Sequence, residues 1–327
     1  LLESSVSLPK GSKKRSRSTK RLKKKEQVTT PVQQSKNVSR ETIPATVIPA
    51  PFDVEEAHNI VFRPNDGPQT DFLASSEREV LYGGAAGGGK SYATLADPLR
   101  NLNHHAFSGL LVRHTTEELR ELIQKSQELY TKAIPGIKWS ERKSQWVTPR
   151  GGRIWMSYLD KEQDVMRYQG QAFNYIAFDE LTQWNTPFAW NYMRSRLRSA
   201  SPELGLYMRA TTNPGSVGHQ WVKKMFIDPS EPNKPFWATD IETGKTLSYP
   251  KGHTKEDQPL FKRRFIPASL FDNPYLADTG DYETMLLSMP EHQRKQLLEG
   301  NWDVNEGAAF PEFNRQIHVV DPYDIPN

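Results

Sequence analysis

Cysteine is absent from all 327 residues, which excludes disulfides, zinc–thiolate sites and iron–sulfur clusters. No apolar run approaches the roughly 18 residues needed to span a bilayer, so a soluble chain with no membrane partner is expected. The N-terminus is basic but no apolar stretch follows it, so no secretory signal is expected. Acidic residues are missing from 10–25, where ten lysines and arginines crowd together. Setting those ten cations aside turns the formal charge of +4 into −6 for the remaining residues. The basic character therefore belongs to a tail, and any nucleic acid held by the rest must meet a local patch.

Residues 1–50 are rich in Ser, Thr, Lys, Gln and Pro and poor in aromatics, the composition of a disordered segment. The basic run within them reads either as a nucleic-acid-binding arm or localisation signal, or as a solvated tail. From residue 52 the composition becomes globular, with strand-like and helical segments alternating. Strands are predicted at Gly109–Arg113, Arg153–Tyr158, Tyr175–Phe178 and Leu206–Thr211. A helix is predicted over Thr116–Lys132, with Leu119, Leu122, Ile123 and Leu129 on one side. Such alternation implies an α/β fold, a mostly parallel sheet covered by helices on both faces. Beyond 215 the pattern breaks up, with a helical segment near Tyr282–Glu299. The expected division is a core over 52–215, a small lid or linker subdomain over 216–302, and a connector over 303–327.

Gly84-Ala85-Ala86-Gly87-Gly88-Gly89-Lys90-Ser91 fits the P-loop pattern G-x-x-x-x-G-K-[ST], between a predicted strand (79–82) and a predicted helix (91–96). Glycines let backbone N–H groups approach phosphates. Lys90 would reach the β- and γ-phosphates, Ser91 would ligate Mg²⁺, and Tyr92 completes the nucleotide-binding set. Tyr175–Phe178 ends in Asp179-Glu180, a Walker B arrangement. Asp179 would hold Mg²⁺ through its water shell, and Glu180 would act as general base toward water. The next strand ends in Thr211-Thr212-Asn213-Pro214-Gly215, either a γ-phosphate-sensing coupling element or an ordinary Asn-Pro-Gly turn. Upstream, the Gln69 amide could read an adenine edge or lie in an exposed loop. Arginines able to stabilise transition-state charge are Arg113 in cis, Arg167 toward a neighbouring subunit, and Arg194, Arg196 and Arg198.

Together with these motifs, Gly218-His219-Gln220-Trp221, Asp272-Asn273-Pro274-Tyr275 and Leu297-Leu298-Glu299-Gly300-Asn301-Trp302 make residues 60–320 resemble the large terminase subunit of tailed bacteriophages. The resemblance implies an ASCE-type P-loop fold and an ATP-driven motor that translocates double-stranded DNA into a procapsid. It implies a homo-oligomeric ring, thought to be a pentamer, working with a portal protein and a small terminase subunit. The motor would work in the host cytoplasm at the portal vertex and would not stay in the mature virion. It implies adenine contact by Gln69, coupling by Thr211, Thr212 and Asn213, and a trans role for Arg167. The family commonly carries a nuclease domain with an acidic metal cluster. Glu306, Glu312, Asp321 and Asp324 show no such pattern, so no nuclease activity is expected in this chain. The alternatives are another P-loop nucleic-acid motor such as a helicase, or a nucleotide-gated nucleic-acid-binding protein without turnover.

Overall fold

Alternation with period two places Leu81, Leu110, Val112, Ile176, Phe178, Met208 and Ala210 on one face of a sheet. Leu111, Met156, Tyr175 and Ala177 face the opposite side. Both faces are buried, which explains why these strands read as continuous apolar runs. The computed structural model describes residues 60–304. The tail 1–50 and the acidic residues Glu306, Glu312, Asp321 and Asp324 lie outside the described residues, as does all of the connector except 303 and 304.

The strands are β1 (Glu79–Gly84), β2 (Ser108–Arg113), β3 (Lys138–Ser140), β4 (Gln145–Val147), β5 (Arg153–Tyr158), β6 (Tyr175–Phe178), β7 (Tyr207–Thr212), β8 (Phe236–Trp237) and β9 (Lys262–Ala268). They form one nine-stranded sheet in the order β3-β4-β5-β2-β6-β7-β1-β9-β8. The six central strands, from β5 to β9, run parallel, and β3, β4 and β8 close the two ends antiparallel. The helices are α1 (Pro68–Ala74), α2 (Lys90–Ala96), α3 (Leu99–Leu102), α4 (Thr116–Ala133), α5 (Phe188–Arg194), α6 (His219–Val222), α7 (Pro274–Ala277), α8 (Asp281–Leu287) and α9 (Glu291–Leu297). None among the described residues is long and apolar enough to cross a membrane.

Helix α4 begins at a capping box: Thr115 accepts from the Glu118 N–H while the Glu118 carboxylate accepts from the Thr115 N–H. Leu119, Leu122 and Leu129 are buried on its inner side, and Ile123 packs there half-buried. The helical segment predicted near 282–299 is two helices, α8 and α9. Pro290 at the start of α9 cannot continue α8, because it lacks the N–H and its ring restricts the preceding residue. The region beyond 215 also feeds the sheet itself. Strand β9 pairs with β1 from Glu79↔Arg263 to Gly84↔Ala268. Its partner lies far back in the sequence, so local composition carries no sign of that pairing.

A buried ionic cluster anchors the N-terminal end of β1. Glu79, fully buried, is held by Arg194 from α5 and by Arg263 of β9, whose Nε lies 2.8 Å from Glu79 Oε2. Burial pushes the Glu79 carboxyl up, but the two guanidiniums outweigh it and hold the group below the ordinary glutamate value.

Candidate functional site

All the polar motifs lie at the carboxyl ends of the parallel strands, where open α/β sheets bind ligands. Strand β1 delivers the P-loop. Gly84 sits at φ 137, and a Cβ there would come within 2.5 Å of the Ala268 carbonyl, so β9 packs against bare backbone. Gly89 starts α2 at φ 74, and a Cβ there would lie 2.6 Å from the Gln69 amide nitrogen. Side chains from three other segments brace the loop carbonyls. Gln69 donates to Gly89 O at 3.0 Å, Tyr82 to Gly88 O at 2.8 Å, and Asn273 to Gly87 O at 2.6 Å.

A cavity of about 410 Å³ opens over the loop, lined by Ala86–Tyr92 and by Lys125, Glu180, Asn213, Asn273, Leu276 and Tyr282. A second, of about 540 Å³, adjoins it through Gly89, Tyr92 and Asn273 and includes Phe62, Arg63, Asn65, Gln69 and Tyr275. Their sequence along the loop suits a phosphate chain followed by a nucleoside.

Lys90 is buried and donates to the Ala85 carbonyl at 2.5 Å and to Asn213 Oδ1 at 2.8 Å. Burial lowers its proton affinity below the ordinary lysine value, while Glu180 and Asp179 oppose that fall. Asn213 also turns its amide toward Glu180, with Nδ2 3.5 Å from Oε2. One side chain thus joins the P-loop lysine to the Walker B glutamate. The turn behind it is fixed by Thr182, whose hydroxyl lies 2.7 Å from that of Thr212 and donates to Asn213 O at 3.2 Å.

Asp179 directly follows β6 and is fully buried. Oδ2 receives Arg113 Nε at 2.6 Å and Nη2 at 2.5 Å. Oδ1 receives the Thr211 hydroxyl and faces Ser91 Oγ at 3.5 Å. Glu180 follows in the left-handed region, at φ 64 and ψ 54, and its N–H reaches Thr211 Oγ1 at 3.4 Å. Burial, then the Asp179 charge, raise its proton affinity against the pull of Lys90 and Arg113. A carboxylate set in this way is suited to taking a proton.

Several expected residues stand differently. Gln69 is buried with its amide already engaged, accepting from the Asn65 N–H at 2.7 Å as well as donating to Gly89. It braces the P-loop and keeps one N–H and one lone pair for a ligand. Arg113 points at Asp179. Arg167 is exposed, donates to the Tyr158 carbonyl, and lies over the rings of Tyr158 and Tyr168 at 5.5 and 5.6 Å. It does not line either cavity. Arg194 pairs with Glu79, Arg196 with the Tyr192 ring, and Arg198 with the carbonyls of Gly170 and Gln171. Tyr92 lines both cavities and reaches Glu128 Oε2 at 3.4 Å. Sequence reasoning missed Asn273, Lys125 and Tyr282 at the loop. Only Asn273 left a trace, in the segment Asp272-Asn273-Pro274-Tyr275.

The family described as terminase large subunit, T4likevirus-type, N-terminal, matches residues 81–317. The chain belongs to that family. It is similar in fold to the large terminase of a thermophilic bacteriophage, at 16% identity and TM-score 0.54, over 81% of this chain and 60% of that one. The same phage terminase in complex with ADP aligns at 16% identity and TM-score 0.51, over 80% and 60% of the two chains. In complex with ATP-γ-S it aligns at 16% and 0.52, over 80% and 59%. The present sequence thus spans about three-fifths of the length of these terminases. No curated protein matches it. The fold is that of these large terminases, a mainly parallel sheet flanked by helices with the P-loop at the end of β1.

Proposed function

We propose that this chain hydrolyses ATP and uses the hydrolysis to translocate double-stranded viral DNA. The observation that carries the reading is the Asn213 bridge between Lys90 and Glu180. It ties the residue that would feel the γ-phosphate to the residue that would activate water.

In this reading the P-loop from Gly84 to Ser91 and Tyr92 hold the triphosphate, and Gln69 orients the base from the adjoining cavity. A water in line with the γ-phosphate gives a proton to Glu180 as its oxygen bonds to phosphorus and the bond to the ADP oxygen breaks. Lys90 offsets the charge that develops on the phosphoryl oxygens. Ser91 Oγ and the Asp179 carboxylate are hard oxygen donors 3.5 Å apart. Among the described residues no group of three or more His, Asp or Glu converges to hold a metal. Two protein oxygens fit Mg²⁺, which keeps several waters and binds phosphate. Bound there, the ion would neutralise charge on the β- and γ-oxygens. Arg113 and the Thr211 hydroxyl hold the Asp179 carboxylate in place. When the phosphate leaves, Asn213 loses one side of its balance, and Thr212-Asn213 passes that change to the rest of the chain.

The partners proposed are DNA, a portal protein, a small terminase subunit and further copies of this chain in a ring, probed at five copies first. The place of action proposed is the host cytoplasm at the portal vertex of the procapsid. Arg167, exposed and clear of its own cavity, is assigned to the neighbouring subunit's site. No nuclease activity is assigned to this chain, and cleavage of plasmid in Mn²⁺ by pure protein would overturn that. The family match over residues 81–317 favours the packaging motor over a helicase. Phosphate release by wild type, Lys90→Ala and Glu180→Gln tests the core of the reading. Both variants should lose turnover, and three equal rates would sink it.

A further inference from the structure

Two segments that carry the resemblance to large terminases, Gly218–Trp221 and Leu297–Trp302, have no part in the chemistry above. They meet at His219, which is 2% exposed. The imidazole Nδ1 accepts the Gly215 N–H at 2.9 Å. That hydrogen bond requires a lone pair on Nδ1, so the proton sits on Nε2 and is donated to the Trp302 carbonyl at 3.1 Å. The ring also stacks on the Trp302 indole, with centroids 5.2 Å apart and planes 27° apart. Burial lowers the proton affinity of His219 below the ordinary histidine value, which keeps the ring neutral in this arrangement.

Each of the two backbone groups it joins belongs to a segment that touches the nucleotide site. Gly215 follows Asn213 by two residues, at the end of the coupling turn. Trp302 lies within the stretch 296–304, which is fastened to the first half of the P-loop. There the Ala86 N–H donates to Leu297 O at 2.6 Å. Gly300, at φ 64, packs so closely that a Cβ would lie 2.6 Å from the Ala85 nitrogen. The same stretch supports the coupling turn from below, since a Cβ on Gly215 would come 3.0 Å from Gln296 Oε1. The stretch 296–304 therefore touches the P-loop through Leu297 and Gly300, and the coupling turn through Gln296 and, by way of His219, Trp302.

We infer that His219 is a positioning residue that couples the setting of Asn213 on Lys90 and Glu180 to the position of segment 296–304. This regulation of the site rests on reading Asn213 as the sensor of the phosphate. An aliphatic side chain would fill the same space, but only a group with one acceptor and one donor on opposite edges satisfies Gly215 N–H and Trp302 O together. A shift of the coupling turn that breaks either bond leaves a buried polar group unpaired, so the two segments move as a unit.

The test is hydrogen exchange on the full 327-residue chain, with and without Mg²⁺ and ATP-γ-S. In wild type, amides of 213–219 and of 296–304 should change protection together on nucleotide binding. His219→Asn keeps an acceptor for Gly215 but cannot reach Trp302, whereas His219→Gln keeps a donor toward Trp302 but loses the Gly215 acceptor. Both should cut the response at 296–304 by roughly five-fold or more, with the affinity for a fluorescent ATP analogue unchanged and kcat, not KM, reduced. Trp302→Phe, which keeps the backbone carbonyl, should retain the response. A wild-type-sized response in either folded His219 variant overturns the inference. So does a wild type in which nucleotide alters only one of the two segments, a measurement that needs no variant. If wild type binds no nucleotide, or if Asn213→Ala hydrolyses ATP at the wild-type rate, the reading of the site fails instead of the coupling.

Discussion

Glu180 offers a separation of stability from activity that can be read in two substitutions. Its left-handed backbone, at φ 64 and ψ 54, turns the chain from β6 into the short turn Leu181–Gln183 and carries the carboxylate into the cavity over the P-loop. A residue with a Cβ held in that region costs about 1–2 kcal/mol, a cost glycine escapes. Glycine loses about 0.4–1 kcal/mol through the greater freedom of its unfolded chain. Glu180→Ala and Glu180→Gly both remove the buried carboxylate beside Asp179, so its electrostatic effect cancels between them. The glycine variant should then be more stable than the alanine variant by about 0.5–1 kcal/mol, a melting shift of about 1–4 °C for a domain of this size. Both should lose about 10²–10⁴-fold in ATP turnover, the contribution of a general base. Scanning calorimetry reads the first difference and steady-state phosphate release the second. Equal melting temperatures would refute the strain at Glu180, and turnover near the wild-type rate in either variant would refute its role as base.

Glu79→Ala leaves Arg263, 1% exposed, without its partner and should cost about 3–5 kcal/mol in denaturant unfolding. Because the folded-state Glu79 carboxyl lies below its ordinary value, its stabilisation is complete above the unfolded value of about 4.3 and is lost as pH falls through the folded one. The variant should therefore lose the part of the acid-denaturation limb that wild type owes to this group. Asn213→Ala removes a 2.8 Å charge-assisted hydrogen bond to Lys90, so kcat should fall about 10–100-fold while nucleotide still binds; an unchanged kcat would count against the bridge. Subunits carrying Arg167→Ala mixed with subunits carrying Glu180→Gln should regain part of the ATPase rate. Absence of rescue in an assembly shown to form would remove the trans role of the arginine.

The site was legible wherever chemistry depends on residue type over a short span. Gly84–Ser91 and Tyr175–Glu180 each carry strand, turn and functional group within a few residues, and the structure has strands and turns at those places. Helix α4 was legible for the same reason, its apolar period being local. The pairing of Arg113 with Asp179 spans 66 positions and follows from β2 lying beside β6, so no local pattern announces it. Gln69 reads from sequence as either an adenine contact or an exposed loop residue, but it is buried with half its amide engaged by Gly89 and Asn65, which only the approach of α1 to the P-loop decides.

By itself the sequence determined a P-loop motif, a pair of acids at a strand end, a basic tail apart from an acidic body, and the family they resemble. These are properties of adjacent residues, set by backbone freedom, charge and side-chain chemistry. Tertiary structure alone decided which groups meet. It brought β9 against β1, joined Lys90 to Glu180 through Asn213, and set His219 between Gly215 and Trp302. Such contacts depend on strand order and register, and the burial of both faces of the sheet is what fixes them.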